Sequence, residues 1–455
     1  MNIDQLEPGS PPGLNVLVIA YYFPPMGLSG VQRTLKFVKY LPEFGWRPIV
    51  LTAGETPYYA HDPSLLEELQ PLIDNGYVRI VRTEESGIPG FRRKGQRSKD
   101  KEMRRESSST LKLPSAGYQR LRSKIIQTVY QPDSRIRWKN SALSAADAIF
   151  KEERIDAIFT TAPPYTDFLI ARELRDKYNV PYLMDYRDAW VSNPVLNFYI
   201  TPFHKAYARK LEDECLRASS AITVVNRRMK EVLLEHYNFL SHEDVTIVPH
   251  GYDPADIARA MEIADDYRNP TKFRMTYGGT FYVGRSPQIL FEAIKLAVRK
   301  EPKLASDLEL VFAGILQKEF QRMAQKAGLA SNIVSKGYLP HIESIALLLA
   351  SDVLWMTMSD DISAPGKLYE YLGTGRTILG LVPQNSQAEK ILHEYGAGVA
   401  VPPKDIKAIS EAILDLYRKW RVGSLPRNVN VPFVKTFDRR LLAKEMARQL
   451  GMMLV

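Results

Sequence analysis

The chain has 455 residues, enough for two to three domains and a large core. At 45% hydrophobic and 25% charged residues it has the balance of a globular protein, which excludes disordered and collagen-like classes. One cysteine excludes an internal disulfide framework and a cysteine-built zinc site, and the net charge of +9 poses the question of an anionic partner.

Residues 1–12 lack the cationic-then-apolar order of a secretory signal, and no apolar run approaches the roughly 18 residues of a membrane span. A cytoplasmic protein is the expectation. Short β-branched runs at 15–20, 47–52, 78–81, 155–160, 182–185, 221–225 and 245–248 read as strands, most of them separated by helix-like stretches. After the first run, Val31, Leu35, Val38 and Leu41 mark one face of a helix that Gly45 ends. A second series follows at 273–277, 308–313, 333–336, 353–356, 377–381 and 398–401. Strand, crossover, strand is the rhythm of a parallel sheet, and two such series predict two α/β domains. The polar stretch 250–272 reads as the linker between them.

The charge is local. Residues 92–124 carry twelve Lys and Arg against Asp100, Glu102 and Glu106, so the rest of the chain sums to zero. The Ser, Lys and Arg-rich part of this stretch has too few apolar residues to offset its ordering entropy, which predicts a mobile insertion. Its continuation, with Leu121, Ile125, Ile126 and Val129 spaced among Arg120, Arg122 and Lys124, suits a basic amphipathic helix at an anionic membrane surface, or an ordinary docked helix. Nucleic acid is not the expected partner, because stacking aromatics are not interleaved with the charge.

Four segments carry candidate chemistry. The turn after the first strand, Tyr21 to Arg33, holds Gly27 and Gly30, which let backbone approach a ligand at a helix N-terminus, although tight packing alone also explains such glycines. It is neither the dinucleotide fingerprint nor a Walker loop. Asp185, Arg187 and Asp188 stand at the end of a strand, where open α/β sheets bind ligands; an ion-pair cluster is the structural alternative. Gly279, Thr280 and Arg285 follow the first strand of the second series and suit a phosphate wall. The most specific phrase runs from Ser363 to Gly375. Its Pro365 and Gly366 open a helix whose dipole would receive a diphosphate, Lys367 adds a charge, and Glu370 on the first turn is placed for ribose hydroxyls.

Taken together, the phrases Tyr22-Phe-Pro-Pro, Asp185-Tyr-Arg-Asp-Ala-Trp190, Val248-Pro-His-Gly-Tyr-Asp253, Tyr277-Gly-Gly-Thr280 and Lys367-Leu-Tyr-Glu-Tyr-Leu resemble the nucleotide-sugar-dependent glycosyltransferases of bacterial family 4 (group 1). The resemblance spans nearly the whole chain. It implies a GT-B fold, with two Rossmann-like doubly wound parallel-sheet domains facing across a cleft. An acceptor-side domain would take residues 1–250 with its basic insertion at about 91–125, a nucleotide-sugar domain 251–435, and a helix within 436–455 would pack back towards the first. It also implies that Gly279, Thr280, Arg285, Gly366 and Lys367 meet the diphosphate and Glu370 the ribose. Gly27 and Gly30 would lie under the transferred sugar, and Asp185, Arg187 and Asp188 near the anomeric centre.

Two departures stand out. Ile362 occupies the place of the first glutamate of the family's paired signature, beside Asp360 and Asp361, and Tyr186, Arg187 and Asp188 stand where many members have a histidine. The expected function is sugar transfer to a polysaccharide or lipid-linked acceptor in cell-surface glycan synthesis at the inner face of the membrane. The resemblance implies retention of configuration, no required cofactor and no protein-held metal; a role for Mg2+ is left open. The alternatives are a nucleotide-sugar 2-epimerase-like enzyme and an inactive membrane-peripheral scaffold of the same fold.

Overall fold

The computed structural model describes residues 12–27, 29–54, 60–83, 130–193, 199, 201–281, 286–363, 365–427 and 430–454. The basic stretch 92–124 and Arg285 lie outside these residues. The described chain divides into two compact units, one built from residues up to His250 together with those from Arg439 onward, the other from Gly251–Asp438.

The first unit holds strands β1 (Leu14–Ile19), β2 (Trp46–Ala53), β3 (Arg79–Thr83), β4 (Ala157–Ala162), β5 (Tyr182–Tyr186), β6 (Ala221–Val224) and β7 (Val245–Ile247). They form one sheet in the order β3-β2-β1-β4-β5-β6-β7, and every pairing is parallel. Strands covered by helices on both faces need continuous apolar runs, and Val16, Leu17, Val18 and Ile19 are all fully buried. Helix α1 (Ser29–Tyr40) follows β1, α2 (Thr166–Tyr178) follows β4 and α3 (Pro202–Ala218) follows β5.

The second unit holds β8 (Phe273–Gly278), β9 (Leu308–Ala313), β10 (Ile333–Gly337), β11 (Val353–Thr357), β12 (Thr377–Leu381) and β13 (Gly398–Val401). Their order is β10-β9-β8-β11-β12-β13, again all parallel. Helix α4 (Gly366–Gly373) follows β11. Helix α5 (Arg439–Met452) ends the chain and belongs to the first unit. Its Leu442, Ala443, Met446, Ala447 and Leu450 recur at helical spacing and share one core with Leu35, Val38 and Leu41.

In both sheets the connections reverse direction beside the first strand, between β1 and β4 and between β8 and β11. Ligands of open α/β sheets bind at the carboxyl ends of strands at such switch points. The chain at the ends of β1, β5, β8 and β11 carries the phrases singled out in the sequence.

One expectation is corrected. Residues 250–272 are not a linker: Pro254–Met261 form a helix, and Ala260 and Ala264 pack with Ile345, Ala346 and Leu349. Asp253 accepts a hydrogen bond from the Ala255 N–H at 3.0 Å and Pro254 takes the first helical position. The pair that suggested a break is a helix start.

Candidate active site

In the first unit the site is built around Asp185, near the end of β5 and fully buried. Its Oδ1 accepts from Arg33 Nη2 at 2.7 Å and Thr223 Oγ1 at 2.8 Å; its Oδ2 accepts from Arg33 Nε and Thr161 Oγ1, both at 2.9 Å. Burial works against the charge on Asp185, but the Arg33 guanidinium and the Thr223 and Thr161 hydroxyls together offset it and hold the carboxyl below the usual carboxylate range. Arg33 also donates to the Pro249 and Val248 carbonyls at 2.7 and 2.8 Å. One guanidinium thus ties α1 to the ends of β5 and β7.

Arg187 is 6% exposed. It donates through Nη1 to the Gly30 carbonyl and through Nη2 to the Pro163 carbonyl, joining the start of α1 to the loop after β4. A Cβ on Gly30 would lie 2.9 Å from Arg187 Nη1, so glycine there permits the contact. Burial lowers the Arg187 pKa, countered by Asp188, Asp185 and Asp167. Asp188 is half-buried. Gly27 donates its N–H to the Ala60 carbonyl at 2.9 Å. Asp167, on the first turn of α2, accepts from the Tyr21 N–H at 2.9 Å and fixes the start of the glycine loop.

Two residues join this group that the sequence reading did not assign. Arg33 is the partner of Asp185, and His250 lies where burial and the charges of Arg33, Arg439 and Arg187 hold its imidazole well below the usual histidine pKa. These charges disfavour protonation and keep the ring neutral, so that one ring nitrogen can accept a hydrogen bond. The signal for His250 was present in the phrase Val248-Pro-His-Gly.

Behind β5, Glu212 of α3 is buried and accepts from Tyr237 Oη at 2.8 Å, Tyr186 Oη at 3.2 Å and the Val191 N–H at 3.3 Å. Burial pushes its carboxyl up to about 7 despite these donors. The native state therefore keeps a proton that the unfolded chain releases above about pH 4.3, so this group removes stability as pH rises towards 7 and no more beyond. Between pH 4.5 and 8, Glu212→Gln should gain about 3 kcal/mol on the natural protein, read as the pH dependence of the two unfolding midpoints.

In the second unit the chain leaves β8 at Gly278, whose N–H donates to Tyr371 Oη at 2.8 Å. Gly279 follows at φ +102° and donates to the Ala313 carbonyl at 2.6 Å. A side chain on Gly314, at φ +146°, would collide with the Gly279 carbonyl. Bare backbone is thus packed against bare backbone, as close approach of a ligand requires. Lys367, the second residue of α4, sets its Nζ 3.7 Å from the centroid of the Tyr277 ring, and a Cβ on Gly279 would be 3.4 Å from that Nζ. Tyr277 in turn stacks on Phe281 at 4.2 Å. The cation is held over an aromatic face beside a glycine turn and the start of a helix.

Thr280 and Gly366 are half-buried beside this turn and at the first position of α4. Glu370 is the fifth residue of α4 and so lies in its second turn, not its first. Asp360 accepts from the Ser363 N–H at 2.7 Å and shapes the loop that leads into α4. Ile362 in that loop is half-buried.

Two parallel-sheet units, each with candidate chemistry at its own switch point, are the two Rossmann-like domains of a GT-B protein. The family model for glycosyltransferase family 4 matches residues 109–256, and that for glycosyl transferases group 1 matches residues 265–429. Together they account for more than half of the chain, which belongs to the group 1 glycosyltransferases. No curated protein matches by sequence. Among solved structures, HepE of Anabaena in complex with UDP and glucose is 11% identical, covering 96% of this chain and 100% of its own, with a TM-score of 0.61. Sucrose-phosphate synthase of Thermosynechococcus elongatus is 14% identical over 96% of this chain and 98% of its own, at 0.64. WaaG, a glycosyltransferase involved in lipopolysaccharide biosynthesis, is 13% identical over 95% and 98%, at 0.57.

Proposed function

We propose that this glycosyltransferase moves a sugar from a nucleoside-diphosphate sugar to a polysaccharide or lipid-linked acceptor in cell-surface glycan synthesis, with retention of configuration. The observation that carries the donor assignment is Lys367 Nζ over the Tyr277 ring, beside Gly279 and the N-terminus of α4. Transfer breaks a bond to a diphosphate, and a fixed cation with a helix dipole stabilises the charge that develops on it. UDP and UDP-glucose are bound by the Anabaena relative, and a uridine donor is the first to test here. Gly279, Thr280, Arg285 and Gly366 complete the diphosphate wall, Glu370 holds the ribose, and Gly27 and Gly30 lie under the sugar.

Asp185 acts as a positioning residue through Arg33, because both its oxygens are occupied. Arg187, Asp188 and His250 then stand nearest the chemistry. The acceptor is held by the first unit, and the basic stretch 92–124 brings the enzyme to the inner face of an anionic membrane. No cofactor beyond the nucleotide sugar is part of this reading. Among the described residues no helix is long and apolar enough to cross a membrane.

Glu370→Ala should weaken nucleoside-diphosphate binding by about 1 to 3 kcal/mol, a rise in Kd of about 5- to 150-fold. Calorimetric titration reads it, and an unchanged Kd would remove the ribose assignment.

A further inference from the structure

Helix α3 buries Ala208, Glu212, Cys215 and Leu216 on its inner side. Its outer side is not the polar surface this would suggest. Phe203 is 85% exposed and Tyr207 51% exposed, and at four residues apart they stand on one face, followed at helical spacing by Lys210. Lys205, Arg209 and Lys210 are exposed around them. From residue 189 to residue 211 the chain has no acid at all. Lys205 has no ion-pair partner among the described residues, and Lys210 reaches Glu214 only at 3.9 Å. Past this point Glu212, Asp213 and Glu214 restore the balance, so the feature is confined to the first turns. The sequence immediately before the helix, Val195-Leu-Asn-Phe-Tyr-Ile200, is apolar.

A single exposed apolar residue needs no explanation. Two aromatic rings at helical spacing inside a cationic, acid-free segment form a different pattern, in which rings seat at headgroup depth while lysines meet lipid phosphates. A second copy of the chain is the poorer occupant, because pairing this face with itself would set lysines against lysines.

We propose that the first turns of α3 dock on an anionic bilayer, with Phe203 and Tyr207 entering the headgroup layer and Lys205 and Lys210 pairing with its phosphates. This segment is distinct in sequence from the basic stretch 92–124, and the proposal does not depend on that stretch. The test is co-sedimentation of the full chain with vesicles of phosphatidylcholine, and of equal parts phosphatidylcholine and phosphatidylglycerol. The natural protein is expected to follow the anionic vesicles only and to be released by salt. Phe203→Asp with Tyr207→Asp should lower the partition coefficient about tenfold and leave unchanged the unfolding midpoint and the fluorescence of the buried Trp138 and Trp190, which shows that the unit carrying α3 is folded.

Lys205→Glu with Lys210→Glu should weaken binding at low salt and matter little at high salt. Binding of the aromatic variant equal to that of the natural protein overturns the proposal, and if removal of residues 92–109 then abolishes binding, the basic stretch alone carries attachment. Absence of binding by the natural protein overturns both. An aromatic variant that turns a dimer into a monomer in sedimentation velocity, with vesicle binding unchanged, makes the face a self-interface and also overturns it.

Discussion

Asp185→Ala should cost about 3 to 5 kcal/mol of stability in the first unit, the effect of leaving one partner of a buried ion pair uncompensated. Arg33 would keep its two backbone acceptors, Val248 and Pro249, and lose the carboxylate bonded to its Nε and Nη2. Thr161 and Thr223 would lose their acceptor as well. Denaturant titration followed by the fluorescence of Trp138 and Trp190, both buried in this unit, reads the loss. Replacing both partners, Asp185→Leu with Arg33→Met, should cost less than Asp185→Ala alone, since no charge is stranded. Two additive losses would show that the pair does not act as a unit. The restored stability should not restore transfer, because the Arg33 charge also sets the surroundings of His250.

Lys367→Ala should lower kcat/KM for sugar transfer by about 10²- to 10³-fold, the usual cost of removing one preorganised donor from developing negative charge. The helix start and the Gly279 turn remain, so the protein should fold with little change in its unfolding midpoint. Lys367→Arg is expected to recover only part of the rate. A planar guanidinium presents its donors differently from the compact Nζ that sits over the Tyr277 ring beside Gly279. A variant with full activity would remove this side chain from the donor site.

The thirteen strands of the described residues stand where β-branched runs were read, because a strand buried on both faces needs a continuous apolar run and leaves a local signature. The places of Gly279, Lys367 and Asp185 at strand ends were legible for the same reason. What they touch was not. Arg33 meets Asp185 across 152 residues, and His250 gathers beside Arg33, Arg187 and Arg439 from four distant segments. No local pattern encodes such meetings; the order of strands in the sheet does. Asp253-Pro254 was misread because a helix start and a chain break use the same residue types. Glu370 was set one turn too early although the helix start at Gly366 was read where it lies: at 3.6 residues per turn the fifth residue has passed the first turn.

The central claim is that a nucleoside-diphosphate sugar is held at Gly279, Lys367 and Glu370. It is tested most directly by calorimetric titration of UDP, GDP, ADP, CMP and NAD against the natural protein and Lys367→Ala. One nucleoside diphosphate should bind selectively, its sugar conjugate should compete with it, and Lys367→Ala should weaken it at least about tenfold. Binding of NAD alone, or a nucleoside diphosphate bound equally well by both proteins, would contradict it.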